Sequence, residues 1–480
     1  MHDSTASRLL LSEQGRTFFP SEYQFLLVYP GTYGEAASSL GFLQVLRLIE
    51  SRPSWSVQRT VLDERGQAPR TLETGRPASD FPLWGLSVAY ELQLLDVVRL
   101  LERAGIPPLA CDRDALRQKQ RGLWDQKQVP VIVAGGPLTS VNPRPLAALA
   151  DLVVVGEVEP VLGDLLSLAE RNPSLNEWFE AAENLPGCYL AATQGDVPPA
   201  VLKADMNDLP AHAGMWSSKA EFKDMYLVEV GRGCSGNCAF CSMRRSLSGG
   251  ARFVEADTVL DCIPSGPSRV GLVGAEVSRH PGIRTMVREL TARNVQVGLS
   301  SLRADAARPD LLELLAAAGM HSPTIAADGA SQRLRDLVHK GVTEQHLLSA
   351  VEASADLKFR SVKLYQIVGL PGETDQDLEE MVDLCLRMSA RLPLHLALSV
   401  LVPKPGTPLG NHVPEGASEI RRRLRLIRQG LKGRARISVA SPKWTWVQWK
   451  LAQGTLATGR DIVEVVRMGG GYQAFRRVLK

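Results

Sequence analysis

A chain of 480 residues exceeds one ordinary domain, for which about 100–200 residues is the usual size. Hydrophobic residues make up 44% and charged residues 22%, enough apolar material for packed cores, which excludes wholesale disorder and fibrous architecture. The net charge of +3 conceals an asymmetry, because from Ser418 onward 15 Lys and Arg face 3 acids and everything before that is net −9. No apolar run approaches the ~18 residues of a membrane span, and the short run Leu9, Leu10, Leu11 is too brief for a secretory signal. A cytoplasmic chain is expected. Its seven cysteines, odd in number and irregular in spacing, are unlike the framework of a small secreted domain.

In the first 200 residues, short apolar runs at 24–29, 83–88, 129–134 and 152–155 alternate with helix-like stretches at 36–51 and 92–104, the pattern of a parallel α/β sheet. The runs end in Pro30-Gly31, Gly135-Gly136-Pro137 and Gly156-Glu157; such loops at the carboxyl ends of parallel strands are where these folds bind ligands. Pro- and Ala-rich sequence around 201–218 predicts a linker. Six strand candidates follow at 225–230, 269–273, 296–300, 323–326, 362–368 and 396–401, a repeat of βα units that predicts a second open sheet or a full or partial parallel barrel. Beyond Pro408 come an Arg-rich helix at 419–431, a short strand at 437–439 and a segment crowded with Trp444, Trp446 and Trp449. The domains expected are therefore 1–200, the linker 201–218, a barrel over 219–412 and a small α-rich subdomain over 413–480.

Directly after the first of the six strands stands Gly-Arg-Gly-Cys-Ser-Gly-Asn-Cys-Ala-Phe-Cys, which places Cys234, Cys238 and Cys241 in the spacing Cys-x3-Cys-x2-Cys. Seven cysteines in 480 residues give that spacing by chance in roughly one sequence in 700. Three thiolates in one loop hold a zinc ion or three irons of a [4Fe–4S] cluster, but a closed zinc site needs a fourth ligand and such a cluster usually takes four cysteines. Three ligands leave one iron open to a chelating molecule, and the small residues Gly233, Ser235 and Gly236 let the backbone wrap a bulky group.

This spacing, with the aromatic Phe240 just before the last cysteine, resembles the radical S-adenosylmethionine (SAM) superfamily. The resemblance implies a [4Fe–4S] cluster on the three cysteines, SAM chelated at the open iron, and reductive cleavage to a 5′-deoxyadenosyl radical with electrons from a flavodoxin- or ferredoxin-type donor. It further implies SAM contacts at later strand ends. Gly274-Ala275-Glu276 stands where the family often has a Gly-Gly-Glu-like turn, Ala275 being a departure; Ser300, Ser301 and Arg303 follow strand three; and Gly369 lies in the Gly-Leu-Pro-Gly-Glu-Thr segment after strand five.

The first 200 residues resemble the Rossmann-like, flavodoxin-like cobalamin-binding domain that precedes the barrel in one branch of that superfamily. The residues carrying the resemblance are Ser87, Gly135, Gly136, Gly156 and Glu157. The Asp-x-His-x-x-Gly motif of mutase-type cobalamin domains is absent, and of the eight histidines only His2 precedes residue 212, so cobalamin is expected to have no imidazole ligand from this domain. The function implied is methylation of an unactivated carbon in a small-molecule or peptide substrate through methylcobalamin and a radical. Two rivals remain: radical chemistry without methylation on a degenerate scaffold, and a zinc-containing nucleic-acid-binding protein using the basic tail. The alternation of Arg421, Arg422, Arg423, Arg425 and Arg428 with Leu424, Leu426 and Ile427 favours a helix laid on the barrel with a solvated arginine face over a nucleic-acid surface.

Overall fold

The computed structural model describes residues 4–63, 66–125, 129–246 and 250–479; His2 lies outside them. It contains two compact units, Met1–Leu227 with Lys450–Lys480, and Val228–Trp449. Among the described residues no helix is long and apolar enough to cross a membrane.

The first unit is built on β1 (Tyr23–Tyr29), β2 (Trp55–Val61), β3 (Leu83–Ser87), β4 (Val131–Gly135), β5 (Leu152–Val154) and β6 (Cys188–Tyr189). Their order is β2-β1-β3-β4-β5-β6, parallel except for β6. Phe25, Leu26, Leu27 and Val28 of β1 are all buried, as a strand covered on both faces requires. The order reverses between β1 and β3, so the crevice at their carboxyl ends is the topological switch point of a flavodoxin-like sheet. β2 has no counterpart among the predicted strands. It buries Ser56, Gln58, Arg59 and Thr60, and Arg59 is neutralised by Glu13 at 2.8 Å and Glu73 at 2.6 Å.

The barrel comprises β7 (Met225–Glu229), β8 (Arg269–Val273), β9 (Gln296–Leu299), β10 (Thr324–Ala326), β11 (Val362–Val368), β12 (Leu394–Val400) and β13 (Ala435–Val439). These strands form two sheets, β9-β8-β7 and β10-β11-β12-β13, joined by a parallel bridge between Leu302 and Ile325. In β11, buried Val362, Leu364, Gln366 and Val368 alternate with partly open Lys363, Tyr365 and Ile367. One face is packed under helices and the other lines the concave interior. Helix Asp375–Arg391 starts with a capping box in which Thr374 and Asp377 exchange hydrogen bonds, which satisfies the free amides of its first turn.

The domain boundaries differ from expectation in three places. The expected linker 201–218 is folded into the first unit. Leu202 bridges Gly156, and Trp216–Ser217 pairs with Glu13–Gln14, so its Pro- and Ala-rich sequence is a strap whose backbone groups are satisfied by neighbours. The six-strand barrel gains β13 as a seventh parallel strand on β12. The expected terminal subdomain 413–480 does not form: residues up to Trp449 belong to the barrel unit and the rest to the first unit. The reason for the second assignment is local. Gly459 packs so closely on Ala148 that an added Cβ would lie 2.3 Å from the alanine methyl, and the Asn142 amide donates to the carbonyls of Ala452 and Gly454.

Candidate active site

The cysteine loop leaves β7 through Gly231 and Arg232, which pair with Phe253 and Arg252. Cys234, Cys238 and Cys241 are all half-buried. A Cβ added at Gly236 would sit 3.3 Å from Sγ of Cys234, 3.9 Å from Sγ of Cys238 and 4.0 Å from a guanidinium nitrogen of Arg303. Glycine therefore keeps open a space onto which two thiols face. The Gly236 amide donates to Sγ of Cys234 at 3.4 Å, and the loop is held on its far side by Ala239, whose amide donates to the Val338 carbonyl. Burial pushes the Cys234 and Cys238 thiols up; the Arg303 charge opposes this at both, joined at Cys238 by Lys340. Among the described residues no three His, Cys, Asp or Glu side chains are already converged on one metal position. The donor set and the space at Gly236 nonetheless fit a thiolate-bound cluster, whose own charge would deprotonate the thiols. Phe240 beside Cys241 is half-buried.

The other residues singled out in the barrel have mixed placements. Glu276 is buried, and it accepts from the Ser235 amide at 2.7 Å and the Ser235 hydroxyl at 2.8 Å. It anchors the cysteine loop, and both its oxygens are engaged there. Gly274 lies 3.0 Å, measured from its added Cβ, from the Gly231 carbonyl, and its own carbonyl accepts from the Ser300 hydroxyl. The Arg303 guanidinium is fixed by Asp305 at 3.1 Å and the Lys340 carbonyl at 3.2 Å, which leaves the nitrogen nearest Gly236 without a hydrogen-bond partner among the described residues. Gly369 is closed: a Cβ there would meet Ile420 at 2.9 Å, and its amide donates to buried Glu373. Sequence reasoning missed the 338–341 segment and Lys340, which pairs with Asp328 at 2.5 Å; no motif marks this loop.

In the first unit, Ser87 and Gly135 are paired in register at the carboxyl ends of β3 and β4. A side chain at Gly135 would meet nothing within 4 Å. Gly136 and Gly156 are different, because an added Cβ would strike the Val88 carbonyl at 2.5 Å and the Leu202 carbonyl at 2.3 Å. These two, with positive φ of 108° and 110°, serve loop packing. Glu157 is buried and accepts from the Ala204 amide at 2.7 Å, so it pins the strap. The strap also brings His212 into this unit. Its Nδ1 lies 2.8 Å from the Tyr226 hydroxyl, and burial, aided by the nearby Arg47 charge, pushes the imidazole down to about 4. One imidazole of the unit was thus overlooked when the domain was ended at 200.

The Arg-rich helix Ala417–Gly430 packs on helix Asp375–Arg391, as expected, but not all of its arginines are solvated. Arg423 is buried and bonds Glu373, Glu415 and Glu419; Arg422 bonds Asp375 and Glu419.

Residues 228–385 match the family model of the radical SAM superfamily, and residues 53–190 match that of the N-terminal domain of radical SAM proteins. The chain carries the domains of a radical SAM protein. A radical SAM domain takes a [4Fe–4S] cluster and SAM. Among curated relatives of this radical SAM chain, an uncharacterized protein of Methanocaldococcus jannaschii is 28% identical over 63% of this chain and 66% of its own length. An uncharacterized methyltransferase of Pyrococcus horikoshii is 22% identical over 58% and 62%. The chain thus spans slightly under two thirds of these relatives. In fold it is similar to the radical SAM methyltransferase TsrM from Kitasatospora setae, solved with cobalamin and a [4Fe–4S] cluster, at a TM-score of 0.60 and 14% identity over 94% of this chain and 100% of that one. The cobalamin-dependent radical SAM enzyme OxsB gives 0.55 and 15% over 78% and 53%.

Proposed function

We propose that this protein is a cobalamin-dependent radical SAM methyltransferase that methylates an unactivated carbon of a small-molecule or peptide substrate. The observation that carries this reading is the combination, in one chain, of a three-cysteine loop at the end of the first barrel strand with a flavodoxin-like sheet left open at Ser87 and Gly135. The fold similarity to TsrM over nearly the whole chain supports it. When bound, the cluster and SAM supply a radical by one-electron cleavage, and cobalamin supplies a methyl carrier.

The protein's own part is to hold and orient. Cys234, Cys238 and Cys241 supply three ligands, Glu276 fixes the loop between the first two through Ser235, and Arg303 presents a buried-side cation beside it. An arginine so fixed is suited to a carboxylate, which it grips in a fork. Phe240, Gly274, Ser300 and Gly369 shape the rim or the packing behind it. In the first unit Ser87 and Gly135 offer the approach for the corrin, while Gly136, Gly156 and Glu157 hold the loops that flank it. An external flavodoxin- or ferredoxin-type protein would deliver the electron.

The test is turnover of the reduced, reconstituted protein with methyl-deuterated SAM. Both 5′-deoxyadenosine and S-adenosylhomocysteine are expected. Gly135→Phe should abolish S-adenosylhomocysteine and cobalamin retention while leaving deoxyadenosine release. Deoxyadenosine alone from the unaltered protein, with cobalamin supplied, would replace methylation by the scaffold reading.

A further inference from the structure

The concave face of the barrel carries a row of nitrogen donors, two cations flanking an imidazole, that the cluster site does not use. Strand register places Lys363 of β11 opposite His395 of β12, and His395 opposite Arg436 of β13. All three share the face opposite Leu364 and Leu396, which are buried under the helices. Neighbouring strands are about 4.8 Å apart, so the row spans roughly 10 Å between its outer Cα atoms. Tyr365 and Ser438 stand one step nearer the strand ends. The Tyr365 hydroxyl is 3.2 Å from Nζ of Lys363, and the Ser438 hydroxyl is 2.9 Å from Nε2 of His395.

Lys363 and Arg436 flank the His395 imidazole on the strands to either side, and the Tyr365 ring, 4.8 Å from Nζ of Lys363, offsets only part of one of the two charges. Among the described residues no carboxylate pairs with Lys363, His395 or Arg436. Asp328, whose amide donates to the Tyr365 carbonyl, is spent on Lys340 at 2.5 Å. Burial, then the Arg436 and Lys363 charges, hold the His395 imidazole below its ordinary value. Such a row of donors with two hydroxyls beside it is complementary to an oxyanion.

We propose that Lys363, His395 and Arg436 form a subsite for an oxyanion of the substrate, a phosphate or a carboxylate. This rests on the methyltransferase reading in so far as the ligand is the substrate. Lys363 lies five residues before the end of β11 at Val368, about 16 Å along the strand at ~3.3 Å per residue. A substrate bound there is elongated, with its anionic end toward the amino ends of the strands and its reacting carbon near their carboxyl ends.

Titration calorimetry of the full chain with pyrophosphate, inorganic phosphate and succinate tests the subsite without turnover. Preference for the phosphates or for succinate identifies which oxyanion the subsite takes. The Lys363→Gln/Arg436→Gln pair should bind at least about tenfold more weakly, since each charged hydrogen bond is worth roughly that factor. Arg436→Gln alone, on an exposed strand edge, serves if the pair does not fold, and should lose several-fold. Absence of binding by all three probes, or binding undiminished in these variants, overturns the subsite. Deoxyadenosine formation by the unaltered protein is scored separately, so that failure of the subsite and failure of the enzymatic reading are told apart.

Discussion

Glu276→Ala separates two roles for a residue that the resemblance assigned to SAM and the geometry assigns to the cysteine loop. Its carboxylate receives the Ser235 amide at 2.7 Å and hydroxyl at 2.8 Å. Hydrogen bonds to a charged partner contribute about 1.5–3 kcal/mol each, so removing both costs the closed loop roughly 3–6 kcal/mol, a factor of about a hundred or more in its population at 1.4 kcal/mol per tenfold. The loop can open locally without the barrel core, so thermal unfolding of the protein without its cluster should fall by less than this full cost. The assay is iron and sulfide per chain after anaerobic reconstitution, with the rate of iron loss to a chelator. Glu276→Ala should load poorly and lose iron fast, and Glu276→Gln should fall between, since it keeps neutral acceptor capacity. Normal iron retention with weakened SAM binding would refute the loop role and restore the SAM contact.

Gly236→Ala places a methyl 3.3 Å from Sγ of Cys234 in the space the thiols face; folding without the cluster should be unchanged and cluster loading impaired, checked by calorimetry and iron content. Arg423→Gln leaves buried Glu373 without its main cation and should cost about 3–5 kcal/mol in denaturant unfolding, whereas exposed Arg421→Gln should be neutral; a nucleic-acid test of this helix belongs on Arg421, Arg425 and Arg428. Burial would raise the Asp377 carboxyl, but hydrogen bonds from Arg333, Ser331 and Thr374 hold it down at about 2. Its stabilisation is therefore complete above about pH 4 and lost as the pH falls through 2, and Asp377→Asn should flatten that part of the acid-unfolding profile.

Much of this architecture is written in the sequence. The apolar runs of β1, β3, β4 and β5 end in turn residues, and six of the seven barrel strands are continuous or alternating hydrophobic segments. β2 escaped because Trp55-Ser-Val-Gln-Arg-Thr-Val is half polar, and its burial depends on Glu13 and Glu73 arriving from distant positions to neutralise Arg59. The same holds for the tail: nothing local to Arg423 distinguishes it from solvated Arg421, because its partner Glu373 lies 50 residues away. Of the candidate site, the cysteine loop was legible because its three cysteines stand close together in the sequence. Gly136, Gly156 and Glu157 were singled out for a ligand, and the structure shows each also engaged with passing backbone; a glycine required by a passing backbone and one required by a ligand look alike in sequence. Lys340 and the Lys363, His395 and Arg436 row carry no motif; only strand register aligns the row, and only the fold of a loop brings Lys340 to Asp328.

The central claim is tested most directly by metal and cofactor analysis of the protein purified without oxygen from cells supplied with cobalamin. About four irons and one cobalamin per chain are expected, with the iron lost in Cys234→Ala, Cys238→Ala and Cys241→Ala and the cobalamin kept. One zinc per chain on those cysteines, with neither iron nor cobalamin after reconstitution, would contradict the account.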